Sequence, residues 1–174
     1  MKHFTFLFGL TLFILGVDQR MSTKYLIMPA PRVSAIIDTT DTSSIAILPF
    51  SSSSLGIDSA ISITITSDEV ILIDSILKAF LNEYNEKGHS NQLKPIYSDN
   101  NPIRLENYCR QYIPYSLHAE RIVFINCFAK SQISEFRYWR KYLVSVDGGG
   151  KSFFSAKVNL TLKKCFKFWV NAPL

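Results

Sequence analysis

Few residues of this chain are of the kinds that carry chemistry. It has three histidines and three cysteines in 174 residues. His3, His89 and His118 stand far apart, and none has a second ligand at the spacing metal coordination uses. No metal site is expected. The cysteines, Cys109, Cys127 and Cys165, are odd in number, so at least one is unpaired. All three fall in strand-like segments, where a buried thiol acts as a small apolar side chain. A single strand-to-strand disulfide and a reactive thiol are the alternatives. Beyond Asn101 the only carboxylates are Glu106, Glu120, Glu135 and Asp147, each at an expected strand end or turn. That placement speaks against paired-carboxylate chemistry. No local signature joins a serine or cysteine nucleophile to a histidine. No cofactor is expected.

Glycine is also scarce, 7 in all, and three are adjacent at Gly148-Gly149-Gly150. A phosphate-cradling loop would need a lysine–serine pair opening a helix. Lys151-Ser152 does follow, but Phe153 to Leu160 alternates like a strand. Asp147 to Gly150 is therefore read as a hairpin turn.

Long apolar runs are missing. The longest, Phe4 to Val17, has 14 apolar or neutral residues. A membrane-spanning helix needs roughly 20. Behind Lys2 and His3, the run fits a signal peptide over residues 1–17. Gly16 is the best small residue for cleavage, no Ala-x-Ala pattern follows, and no cysteine is placed for a lipid anchor. Export to the periplasm or cell surface is the expectation. An uncleaved segment would tether the chain to a membrane, and a true start at Met21 would leave it in the cytosol.

What the chain does contain is organised. Residues 18–66 are rich in Ser and Thr, with 14 of them in the 29 positions from Thr39 to Ser67. Pro29 and Pro31 mark an extended stretch. Ile45 to Leu48 and the alternating Ile61 to Thr66 read as two short strands, able to pair with an edge of a larger sheet. Residues 67–174 form the main domain. Its helix runs from Asp68 to Lys87. Thr66 and Glu69 fit a capping box, and Gly88 can close the helix. Val70, Ile73, Leu77, Phe80, Leu81 and Tyr84 form one apolar stripe.

Strands are predicted at 104–113 (ended by Pro114), 121–129, 138–146, 153–160 and 165–170. A helical turn is expected near 131–136, and Gln92 to Tyr97 could add a short strand. Alternation places Phe154, Ala156, Val158 and Leu160 toward the helix, with Phe166, Phe168 and Val170 beside them. Tyr142, Val144 and Val146 are taken as the core set of the 138–146 strand. The strand from Arg121 to Ala129 is apolar on both faces, so it is central and covered on both sides.

The outer sheet face is the candidate binding surface. It gathers Trp139, Lys141, Phe153, Lys157, Lys167 and Trp169. Aromatic rings between ammonium groups can stack on planar or sugar rings while the charges meet anions. Charge supports this: from Asn101 onward 12 Lys and Arg stand against 4 Asp and Glu, while before it 7 stand against 10. Basic surfaces attract acidic partners. A protein or an anionic glycan is the expected partner. Nucleic acid is disfavoured, since no binding motif is present and export removes most such partners. A membrane enters only through an uncleaved N-terminal segment. Asn159-Leu160-Thr161 is a glycosylation sequon, meaningful only in a eukaryotic secretory pathway.

The stretches Arg121 to Phe128, Trp139 to Gly149, Phe153 to Leu160 and Phe168 to Ala172 resemble the C-terminal half of small exported bacterial proteins similar to cystatin-like or NTF2-like folds. The likeness covers roughly the last 70 residues. It implies architecture and export but no activity. The Gln-x-Val-x-Gly loop of protease-inhibiting cystatins is absent. The expected fold is thus α+β, with one long helix on a curved antiparallel sheet of four to six strands. The expected function is an exported, non-enzymatic binding module using the outer face or a sheet edge. The alternatives are a small NTF2-like enzyme with a pocket between helix and sheet, and a structural subunit of a surface assembly.

Overall fold

A computed structural model describes residues 42–89 and 101–173. The expected signal segment, the Pro29 and Pro31 stretch and the short strand at Gln92 to Tyr97 lie outside the described residues. The fold is α+β, with one long helix and a six-stranded, mostly antiparallel sheet. In chain order come β1 (Ile45–Ile47), α1 (Ser52–Leu55), β2 (Ile61–Ser62), α2 (Ser67–His89), β3 (Tyr108–Leu117), β4 (Glu120–Ala129), β5 (Phe153–Asn159) and β6 (Lys164–Val170). The order across the sheet is β1-β3-β4-β5-β6, with β2 also on β3.

The capping box forms as expected. The Glu69 backbone N–H donates to Thr66 Oγ1 at 3.2 Å, and the Thr66 N–H donates to the Glu69 carboxylate at 2.9 Å. Glu69 also meets Arg121 of β4 at 2.7 Å, which ties the start of α2 to the sheet. The apolar stripe then lies on the inner sheet face. Ile73, Leu77 and Leu81 are buried against Val123, Ile125, Phe154, Ala156 and Val158. Each such side chain stabilises by about 1.5–3 kcal/mol on leaving water. Toward the other end, Phe80 and Tyr84 close on Phe168 of β6, with ring centroids 5.2 and 4.8 Å away.

A second apolar cluster covers the outer face. Cys109, Ile113, Ile122, Phe124, Phe128 and Phe153 are buried there, beneath Leu48, Phe50, Leu55 and Ile57 on one side and Phe136, Trp139 and Val144 on the other. β4 is therefore central and apolar on both faces because both are covered, as its composition implied. The two short N-terminal strands both pair with β3. β1 runs parallel to it and β2 antiparallel.

Four local expectations are corrected. First, β3 does not stop at Pro114 but continues to Leu117. The Pro114 carbonyl accepts from Ile63 at 3.5 Å, so its nitrogen also faces away from β4. It falls between the residues paired to β1 and those paired to β2. No ladder donor is lost there, so the proline is tolerated. Second, 138–146 is not a strand. β4 pairs directly with β5, from Phe128 opposite Phe153 to Ile122 opposite Asn159. The segment between them is a strap laid over the outer face. Within it Trp139 is buried and Tyr142 is exposed, the reverse of the expected facing.

Third, Asp147 to Gly150 does not join paired strands. It turns the strap into β5 with positive φ at Gly148, Gly149 and Gly150. A Cβ on Gly149 would meet the Phe153 ring at 2.5 Å, so only glycine fits. Fourth, a bulge between β5 and β6 skips Phe166 in the register. Cys165 consequently faces the helix and Phe166 the outer face, opposite to simple alternation. All three cysteines are buried, and none of them is in a disulfide.

Candidate functional site

The outer face is not a uniform surface, because a polar row across its middle anchors the strap. Gln111, Asn126 and Ser155 stand opposite one another on β3, β4 and β5. Asn126 donates to Gln111 Oε1 at 2.9 Å, and Ser155 Oγ lies 3.2 Å from Asn126 Oδ1. The row then turns to the strap backbone. Gln111 donates to the carbonyls of Trp139 and Tyr142, the latter at 2.7 Å. Its Oε1 accepts from the Val144 N–H at 2.9 Å, and Asn126 donates to the Val144 carbonyl at 2.8 Å. A buried glutamine and a half-buried asparagine thus hold a non-strand segment in place. Asn171 secures its far end through the carbonyls of Val146 and Gly148.

This arrangement divides the six candidate residues. Trp139 and Phe153 are 6% and 7% exposed, beneath the strap or within it. They pack on Phe128 and Phe136 and present no ring to a ligand. Lys141 is exposed on the strap, away from the sheet. Lys157, Lys167 and Trp169 are brought together on the outer face of β5 and β6.

Lys157 and Lys167 are direct cross-strand neighbours. Like charges in that position repel. The Lys157 ammonium lies 6.0 Å from the Tyr115 ring centroid and that of Lys167 5.5 Å from Trp169. Trp169 in turn sits 5.8 Å from Phe124. Among the described residues no carboxylate forms an ion pair with either lysine. Partial burial, with Lys167 adding to it, holds the Lys157 pKa below its ordinary 10.5.

The sign of that shift makes a prediction. The protonated Lys157 is less favourable folded than unfolded, so wild-type stability rises as pH climbs from the folded pKa toward 10.5. Lys157→Met should be more stable than wild type at neutral pH, and the difference should shrink as pH rises toward 10.5. Thermal melts of both proteins across that range measure it; a constant difference would show that the lysine is not perturbed.

The site also occupies an edge. Among the described residues no strand pairs with the far side of β6, whereas β3 has β1 and β2 on its outer side. Lysines along such an edge deter indiscriminate strand pairing. No family model, curated protein or solved structure matches the chain. The geometry of these residues therefore carries the functional reading.

A second polar cluster escaped the sequence reading. Asp74 of α2 is buried in the helix–sheet interface. Tyr112 Oη donates to Asp74 Oδ1, and Arg110 Nη2 lies 3.4 Å from Asp74 Oδ2. Arg110 Nη1 also donates to the Leu105 carbonyl at 3.2 Å. Burial first, and then the Asp74 charge, push the Tyr112 hydroxyl far above its usual pKa. A signal was present: position 74 lies four residues from Val70 and one from Ile73, inside the apolar stripe. An acid there must find a buried partner. Among the described residues no three His, Cys, Asp or Glu side chains could hold a metal ion.

Proposed function

We propose that this protein is an exported, non-enzymatic binding module that takes an anionic partner, a protein or an acidic glycan, on the outer face of β5 and β6. The observation that carries the reading is the cross-strand pair Lys157 and Lys167, set beside Trp169 with no carboxylate paired to it among the described residues. Two ammonium groups forced together gain from a shared anion, which offsets both their repulsion and the partial burial of Lys157. The indole supplies a flat apolar surface next to the charge. Export rests on the basic start and apolar run of residues 2–17. The helix-on-sheet arrangement supports the cystatin-like architecture that the C-terminal likeness implies.

The rival reading, an NTF2-like enzyme working between helix and sheet, would centre on Asp74, Arg110 and Tyr112. Those groups are buried and engaged with one another. This favours a structural role for them.

Binding to dextran sulfate and to poly-glutamate, two anionic probes of different backbone, tests the site. Lys157→Met with Lys167→Met should elute from either matrix at clearly lower salt than wild type, without a lower melting temperature. Retention by wild type should also fall as pH rises through the depressed Lys157 pKa. Unchanged elution of the double variant would remove the site.

A further inference from the structure

The strap carries a second surface that the lysine pair does not use. Between Phe136 and Leu143 it makes one helical turn: the N–H groups of Lys141 and Tyr142 both donate to the Tyr138 carbonyl, at 2.8 and 3.0 Å. Residues three and four apart then share a side. Phe136, Trp139 and Leu143 pack on the sheet. Tyr138 and Tyr142 point the other way and are 57% and 69% exposed. Arg137 and Lys141 are exposed with them, and the Arg137 guanidinium lies 5.6 Å from the Tyr138 ring centroid. Ile133, one turn earlier, is a further exposed apolar side chain.

We infer that this turn docks the protein on an anionic membrane surface. The two tyrosines have apolar rings with polar tips, which suits the boundary between headgroups and acyl chains. Arg137 and Lys141 sit on the same side and complement anionic headgroups. From Lys130 to Asp147, Lys130, Arg137, Arg140 and Lys141 stand against Glu135 and Asp147. Arg140 is engaged with the carbonyls of Ser43 and Ile45, so Arg137 and Lys141 are the pair offered outward. The turn lies over the sheet, and Gln111 holds its backbone through the carbonyls of Trp139 and Tyr142. Exposed amphipathic rings with cations beside them, on a turn whose backbone is already held in place, fit a yielding anionic lipid surface. The contact is peripheral: among the described residues no helix is long and apolar enough to cross a membrane.

A local probe separates this contact from any contribution of residues 4–17. The three native cysteines are buried, so an environment-sensitive dye on Tyr142→Cys in the full chain reports on the strap. Vesicles of phosphatidylglycerol and phosphatidylcholine should blue-shift its emission, and pure phosphatidylcholine should not. Adding Arg137→Glu and Lys141→Glu should weaken the dye-reported vesicle affinity about thirtyfold or more, the worth of two cations near an anionic surface. Lys157→Met with Lys167→Met should leave the shift in place, which keeps this surface distinct from the proposed binding site. An equal shift with neutral vesicles, a shift that survives charge reversal, or a response to poly-glutamate but not to vesicles would overturn the inference.

Discussion

Arg110→Ala is expected to cost about 3–5 kcal/mol of folding stability, because it strands Asp74 as a buried carboxylate without its cation. Asp74 and Arg110 are 4% and 3% exposed. Tyr112 would still donate to Asp74, but one neutral hydroxyl does not offset a buried charge. Replacing both partners, as Asp74→Leu with Arg110→Met, should restore most of the loss, since an apolar pair of similar volume needs no desolvated ions. Urea unfolding of the single and double variants gives the comparison. A single-variant cost below about 1 kcal/mol would mean that the pair contributes no more than a surface ion pair does.

Gln111→Leu should be nearly as damaging, by another route. The side chain is fully buried and serves four neighbours: the carbonyls of Trp139 and Tyr142, the Val144 N–H and the Asn126 amide. Leucine fills a similar volume and satisfies none of them. Each buried polar group left without a partner costs about 1–3 kcal/mol, so a total of about 3 kcal/mol or more is expected. The loss should fall on the strap first. Near-ultraviolet dichroism from Trp139 should collapse and limited proteolysis should cut between residues 136 and 146, while the β3–β4–β5 ladder survives in the far-ultraviolet signal. An intact strap in that variant would show that Phe136 and Trp139 hold it by packing alone.

Much of the fold could be read from local pattern. The capping box, the stripe from Val70 to Tyr84 and the two-faced apolar run of β4 each combine a backbone period with a burial requirement, and both are visible within a few residues of chain. The misreadings arose where a distant partner decides. Trp139 to Val146 alternates well enough to pass for a strand, but β5 already occupies the place beside β4. The steps from Phe136 to Trp139 to Leu143 are helical, and it is that period the packing uses. Phe166 changes face because of one skipped residue in the register with β5, and a bulge leaves no mark in the alternation of a single strand. Pro114 survives within β3 because two separate short strands leave a gap beside it.

For the site, residue type was legible and exposure was not. Lys157, Lys167 and Trp169 share a face because strand alternation and the hairpin at Leu162 put them there. Trp139 and Phe153 belong to the same face, yet the strap that buries them is anchored by Gln111 and Asn126, two ordinary amides in unremarkable positions. Asp74 does not stand out in the sequence, because the apolar residues beside it account for the helix without it.

Phe128 and Phe153 are direct partners, so the chain leaves the sheet and comes back to it at a single point. Everything between them is an excursion rooted in what could have been a simple hairpin. Lengthening such a detour adds only a logarithmic penalty in chain entropy. This is therefore the place where close homologues can differ most in length while the sheet beneath keeps the same pairing, and where a foreign segment can be displayed.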